Sequence, residues 1–215
     1  MNTELLLVRH GETNWNIKGK FQGSHDIDLS EKGILQAEFL KKELNYNFDV
    51  IYSSPLVRAL KTAEILSGNN TSLKPIVDNE LREINFGEWE GLTIEQIKAN
   101  YPVQYNEWIT DKINGPLVGG DLSLRKASIR AKNAIIKIVK THKNKKIVIV
   151  SHGGIIKAGL IGIFDWDMSM YHKFRLGNTS VTKIAFSKNL HPLLMLLNGT
   201  SHIPQSCTVK SHSIN

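Results

Sequence analysis

Three short apolar runs each open directly onto residues that can hold and move a phosphoryl group. Leu5–Val8 leads into Arg9-His10-Gly11, Val50–Tyr52 into Ser53-Ser54-Pro55-Leu56-Val57-Arg58, and Ile147–Val150 into Ser151-His152-Gly153-Gly154. In open α/β sheets, ligands bind outside the carboxyl ends of the strands. If the three runs are parallel neighbours, Arg9, His10, Arg58 and His152 converge on one spot. Guanidinium forks match phosphate oxygens in pairs, so the set predicts an anion site. Helix starts expected near Arg58 and Gly154 would add backbone N–H groups to the attraction.

Within such a site His10 has a chemical use. Two guanidinium charges disfavour the imidazolium form, which leaves a neutral ring able to act as a nucleophile. Gly11 lets the backbone come close to a phosphate. His152 would donate to phosphoryl oxygens and stabilise charge in the transition state. A phosphorylated histidine also needs a proton donor for the leaving alcohol and a base for water. The segment from Glu80 to Gly91 offers Glu80, Glu83, Glu88 and Glu90. A carboxylate facing a bound phosphate has its pKa raised by like charge, but spacing alone does not choose among the four.

The elements that must position these residues are legible as alternating patterns. The three runs above are continuous rather than alternating, as in central strands covered on both faces. Val181–Phe186 and Leu193–Leu197 complete the strand candidates. Ser30 is placed to cap a helix carrying Ile34, Ala37, Leu40 and Leu44, with Leu29 stapled onto Ile34. Ser54-Pro55 reads as a cap and first-turn proline before Leu56, Ala59, Ala63 and Leu66. Asp121 is placed to cap a long helix with Ala127, Ala131, Ala134, Ile135 and Ile138. The fold class predicted is α/β, a three-layer α/β/α sandwich with a mainly parallel central sheet. Residues 1–203 form one domain in this reading. Within it, about 99–120 make a small cap excursion, with Tyr101, Pro102, Tyr105, Trp108 and Pro116 before Gly119-Gly120. Residues 204–215 form a polar C-terminal tail.

The bulk properties agree with a soluble enzyme of small size. The chain has 215 residues, 41% hydrophobic and 22% charged, enough for one substantial core. Its one cysteine, Cys207, fits a reducing compartment, and no apolar run is long enough for a signal peptide or a membrane span; the expectation is a cytoplasmic protein that binds no membrane. The net charge of +7 raises the question of nucleic acid. The only dense basic run, Lys143-Asn144-Lys145-Lys146, has no interleaved aromatic residues and reads as a solvated turn, so no nucleic acid is expected.

Several of these residues resemble a known signature. Arg9-His10-Gly11-Glu12-Thr13-Asn14-Trp15-Asn16 is similar to that of the histidine phosphatase superfamily, the phosphoglycerate mutase-like proteins. The resemblance continues through Phe21-Gln22-Gly23, Asp28–Gly33, Gln36-Ala37, Ser53-Ser54-Pro55 with Arg58, Ala59, Thr62 and Ala63, then Leu81-Arg82-Glu83 with Gly87, Trp89, Glu90 and Gly91, and Ser151–Gly154. It implies His10 as the phosphohistidine nucleophile, Arg9, Arg58 and His152 as the phosphate pocket, and Glu83 as the proton donor and acceptor. It also implies substrate contacts from Asn16 and Gln22, with Gly23 and Gly153 beside them. Asn198-Gly199-Thr200-Ser201-His202 resembles the broad-specificity and α-ribazole phosphatase branch. The family includes both monomers and homodimers.

No cofactor or metal is expected. Asp26-Ile27-Asp28 fails as a calcium loop, since Glu31 stands at its sixth position and Ala37 at its twelfth. There is no HExxH pair, no GxSxG elbow and no GxxxxGK[ST] loop. The reading is a metal-independent phosphomonoester hydrolase acting on a small phosphorylated metabolite. Two alternatives stand beside it: a cofactor-dependent phosphoglycerate mutase-type phosphotransferase and a non-catalytic phospho-ligand binder. A mutase must hold a second phosphate, yet Ala99 to Val118 carries only Lys112 against Glu107 and Asp111. The binder should lack the nucleophile or the acid, and both are present.

Overall fold

The computed structural model describes residues 2–121 and 123–204. The tail expected at 204–215, Pro204 apart, and Cys207 lie outside the described residues. Six strands form one sheet: β1 (Thr3–Arg9), β2 (Val50–Ser53), β3 (Ile76–Val77), β4 (Lys146–Ser151), β5 (Val181–Phe186) and β6 (Pro192–Gly199). Their order across the sheet is β3-β2-β4-β1-β5-β6. β3, β2, β4 and β1 run parallel, while β5 and β6 return antiparallel. The fold is therefore the α/β class read from the sequence, with a mostly parallel sheet.

The three continuous apolar runs are the neighbours β2, β4 and β1, and both faces of this centre are covered. On one face, Leu5, Leu7, Ile147 and Ile149 pack under α6 (Leu124–Thr141) and α7 (Gly153–Phe164). On the other, Leu6, Val8, Val148 and Val150 pack under α2 (Glu31–Leu44) and α3 (Val57–Ser67). Each such side chain contributes about 1.5–3 kcal/mol by leaving water, which pins the register that aligns Val8 and Ser53 with Val150. The carboxyl ends of β1, β2 and β4 thus open on the same edge.

Several boundaries differ from the sequence reading. Ser30 does cap α2, but Ile34 is 42% exposed, and the buried stripe is Gly33, Gln36, Ala37 and Leu40. Gln36 is buried because its amide oxygen accepts the Glu12 N–H. α3 starts at Val57, not after Ser54: the side chain of Asp26, from a distant turn, accepts the Val57 N–H at 2.7 Å. Ser123 caps α6, and Asp121 is used elsewhere. β3 has only two residues, too few to show a period.

The excursion above the sheet contains α4 (Ile94–Asn100) and α5 (Pro102–Thr110). Trp108 is buried among Trp89, Phe21, Tyr171 and His172, so it packs as core rather than lining a pocket. This core is continuous with Ala127 and Ala131 of α6 and Ile155, Ala158 and Ile161 of α7. Among the described residues, no helix is long and apolar enough to cross a membrane.

Candidate active site

Backbone contacts fix the turn after β1 before any side chain acts. The His10 N–H donates to Ser151 O of the neighbouring strand at 2.9 Å, and His10 O accepts from Thr179 N and Asn178 Nδ2. Gly11 packs onto α2 so closely that a Cβ there would lie 2.4 Å from Gly33 O. A Cβ on Gly33 would lie 2.1 Å from Glu12 O. Two glycines are needed because backbone meets backbone.

The sheet edge gathers the four residues expected there. The His10 and His152 rings lie 5.2 Å apart, centroid to centroid, and both are buried. His10 Nδ1 lies 2.7 Å from Gly11 O. A carbonyl can only accept, so Nδ1 carries the proton. Burial, then the charges of Arg58 and Arg9, hold this imidazole well below its ordinary pKa of 6.5, and the ring is neutral. Its Nε2 lone pair is therefore free. The sequence reading credited the arginines with this effect; burial is the larger cause.

His152 is the opposite tautomer. Arg58 Nε donates to its Nδ1 at 3.1 Å, so the neutral ring carries its proton on Nε2, which donates to Ser54 Oγ at 2.7 Å. Arg58 is fully buried and anchored by Gly23 O at 2.8 Å and His25 O at 2.6 Å, which leaves further N–H groups of its five for a ligand. Gly23 adopts φ +50°, and a Cβ there would collide with Glu90. Glu90 holds this loop through Ser24 and also accepts from Phe86 N. Gly23 thus shapes the seat of Arg58. Arg9 donates to Leu176 O, lies against Gly153 where a Cβ would stand 3.3 Å from its Nε, and leaves that Nε buried with no hydrogen-bond partner among the described residues.

The four carboxylates of the Glu80–Glu90 segment separate cleanly. Glu80 is exposed beside Arg82, exposed Glu88 interacts with Tyr101, and Glu90 clamps the Gly23 loop. Glu83 alone is buried at the start of α7: its Oε2 accepts from Gly154 N at 3.0 Å, and its Oε1 from Ile155 N at 2.8 Å and Ile84 N at 2.9 Å. This overturns one expectation. Both helix starts read as anion-attracting are already occupied by the protein's own carboxylates, Asp26 on α3 and Glu83 on α7.

Asn16 Oδ1 accepts from Thr13 N and Asn178 Nδ2, which orients its Nδ2 as the outward donor. Gln22 Oε1 is buried with no partner among the described residues. No cluster of three or more His, Cys, Asp or Glu suited to a metal occurs among the described residues.

Three contributors escaped the sequence reading. Ser54 holds His152, although Ser-Pro had the signal of a helix cap. Arg130 of α6 collects the carbonyls of Glu80, Arg82 and Glu83 and pairs with Asp121 at 3.2 Å, while Asp121 accepts from Asn85 N. This clamp sets the backbone that carries Glu83. Tyr171, fully buried, brings its hydroxyl to the same spot: a Cβ on Gly154 would stand 2.9 Å from it and 2.7 Å from Glu83 Oε1.

A family model described as histidine phosphatase superfamily (branch 1) matches residues 5–198. Phosphoserine phosphatase 1 of Hydrogenobacter thermophilus is 36% identical over 202 residues, which span 93% of this chain and 94% of that protein. A metal-independent phosphoserine phosphatase of Arabidopsis thaliana is 32% identical over 158 residues, 73% of this chain and 66% of that one. Among solved structures, a phosphoserine phosphatase variant from Entamoeba histolytica in complex with phosphoserine is similar with a TM-score of 0.88 and 39% identity, covering 94% of this chain and 100% of that chain.

Proposed function

The chain belongs to the histidine phosphatase superfamily, and from that premise we propose that it hydrolyses small phosphomonoesters, with phosphoserine-like phospho-acids as the substrate class, through a phosphohistidine on His10. The observation that carries this reading is the His10 tautomer: Nδ1 tied to Gly11 O and Nε2 bare in a buried, arginine-flanked pocket.

In this reading Arg9, Arg58 and the Asn16 amide hold the phosphoryl oxygens, and the His152 N–H, aimed by Ser54, is shared with one of them. His10 Nε2 attacks phosphorus in line, and the bond from phosphorus to the ester oxygen breaks. The Nδ1–H bond to Gly11 O supports the positive charge that grows on the ring. Glu83, in its protonated form, gives its proton to the leaving alcohol. Water then attacks the phosphohistidine, Glu83 takes its proton, and phosphate leaves with His10 neutral again. Gln22 Oε1 offers an acceptor for a donor on the organic portion. Guanidinium groups supply the charge that metal ions supply in other phosphatases, so the reaction needs no metal. We place this chemistry in one domain, with the cap between 99 and 120 over the site, in a cytoplasmic protein.

The test is phosphate release from phosphoserine and p-nitrophenyl phosphate in EDTA, together with trapping of an acid-labile phosphoenzyme. Both are expected in the wild type, and the loss in His10→Ala is expected to be on the order of 10³-fold or more. Phosphoryl transfer between hydroxyls of phosphoglycerate faster than hydrolysis would make the protein a mutase instead.

A further inference from the structure

We propose that Lys157 and the wall formed by Tyr171 make a second anion subsite, which takes the carboxylate of a phospho-acid substrate. The inference rests on the phosphomonoesterase reading above and names the residue that selects within that class.

Lys157 lies three and four residues after Gly154 and Gly153, hence on the face of α7 that meets Glu83 and Arg9. Helical side chains lean toward the helix N-terminus, which carries its ammonium back toward the catalytic edge. The Nζ donates to Tyr171 O at 2.7 Å and sits 4.0 Å from the centre of the Tyr171 ring, with Phe174 at 5.9 Å. Tyr171 reaches the other way, its hydroxyl and Glu83 Oε1 both flanking Gly154. Tyr171 therefore borders both the ammonium and the Gly154 turn whose amide holds the Glu83 carboxylate.

The ammonium has three donors, and its one hydrogen bond among the described residues is to a carbonyl. No Asp or Glu among the described residues lies within ion-pair distance of it, unlike Lys61, Lys132 and Lys183, which meet Asp28, Asp165 and Glu4. A half-buried cation without a paired anion is costly unless something charged arrives to meet it. That cost is visible in its pKa, pushed down by burial to about 8 although the Glu83 charge pulls it up. Arg9 and Arg58 suffice for a phosphate dianion, and the histidines are neutral. Lys157 is thus surplus to the phosphate and suits one further negative charge on the leaving-group side, next to Glu83.

The experiment compares phosphoserine with phosphoethanolamine, which lacks only the carboxylate, in wild type, Lys157→Met and Lys157→Arg. In the wild type, kcat/KM is expected to favour phosphoserine by about tenfold or more, chiefly through KM, as the loss of one charge-assisted contact implies. In K157M that ratio falls toward one, and in K157R it is largely kept. A wild-type ratio near one overturns the proposal without need of any variant. So does an equal loss on both esters in K157M accompanied by a shifted pH profile of kcat, because Lys157 would then act only on Glu83. Failure of the underlying reading looks different: no ester, p-nitrophenyl phosphate included, would be hydrolysed by the wild type.

Discussion

Arg58 Nε donates to His152 Nδ1 across 3.1 Å, and this one bond decides where the His152 proton is. With Nδ1 accepting and the ring neutral, the proton must sit on Nε2, pointed at Ser54. His10 is held the other way, through its own Gly11 carbonyl. Two neighbouring imidazoles are thereby given opposite tautomers, one with Nε2 protonated and one with Nε2 bare, by partners that cannot exchange roles.

Ser54→Ala removes the acceptor that aims the His152 N–H. The expected loss in kcat is about tenfold, the worth of one hydrogen bond. Nitrogen-15 NMR of the variant is expected to retain the Nε2-protonated tautomer, since Arg58 is untouched. A switch to Nδ1–H would mean that Ser54, not Arg58, sets the proton.

Glu83→Gln removes a group that can give and take a proton but keeps its size. The expected loss is roughly 10²–10⁴-fold for phosphoserine, whose alkoxide needs protonation. For p-nitrophenyl phosphate, whose phenolate leaves unaided, the phosphorylation step is expected to suffer far less, as read by the burst of p-nitrophenol. Equal damage to both bursts would remove Glu83 from the acid role.

The histidines also make stability depend on pH in a definite direction. His10 and His152 lie well below 6.5 in the folded protein because burial disfavours their charged forms, and His172 is lowered to about 4 for the same first reason. Below pH 6.5 the unfolded chain takes up protons that the folded chain refuses. Their contribution is therefore fully present above about 6.5 and drains as pH falls toward each folded value, to about 4 for His172. The thermal midpoint is expected to drop by several degrees between pH 7 and pH 5. A flat or rising midpoint would show that these rings are charged in the fold.

Gly33→Ala tests the backbone wedge beneath the nucleophile. Its Cβ would stand 2.1 Å from Glu12 O with only backbone to yield. Overpacking usually costs about 1–3 kcal/mol. Here the upper end is expected, as a fall in the urea midpoint together with a loss of activity, because the Gly11 turn must move. Unchanged stability would mean that α2 slides freely past the β1 turn.

What the sequence disclosed follows from the range of the interactions. The continuous runs of β1, β2 and β4 are legible because burial on both faces leaves no polar positions. Arg9, His10, Arg58 and His152 follow from strand ends. Glu83 does not, since what distinguishes it from Glu80, Glu88 and Glu90 is a pair of amides 71 and 72 residues away. Ser54 and Asp121 were misread for a related reason. Each has the local signature of a helix cap, and each is spent on a distant partner, His152 or Arg130, while Asp26 and Ser123 do the capping. Arg130 and Lys157 carry no signal in a helix already rich in lysine and alanine or in isoleucine and glycine.

In the proposed mechanism the Glu83 carboxylate is at once a reacting group and, through Gly154 N and Ile155 N, the cap of α7. Protonation for the first half of the cycle weakens its hold on Gly154 and Ile155, and ionisation in the second half restores it. On that mechanism the first turn of α7 would slacken and tighten once per turnover. Exchange of those two amide hydrogens with solvent deuterium would then differ between the free enzyme and the phosphoenzyme.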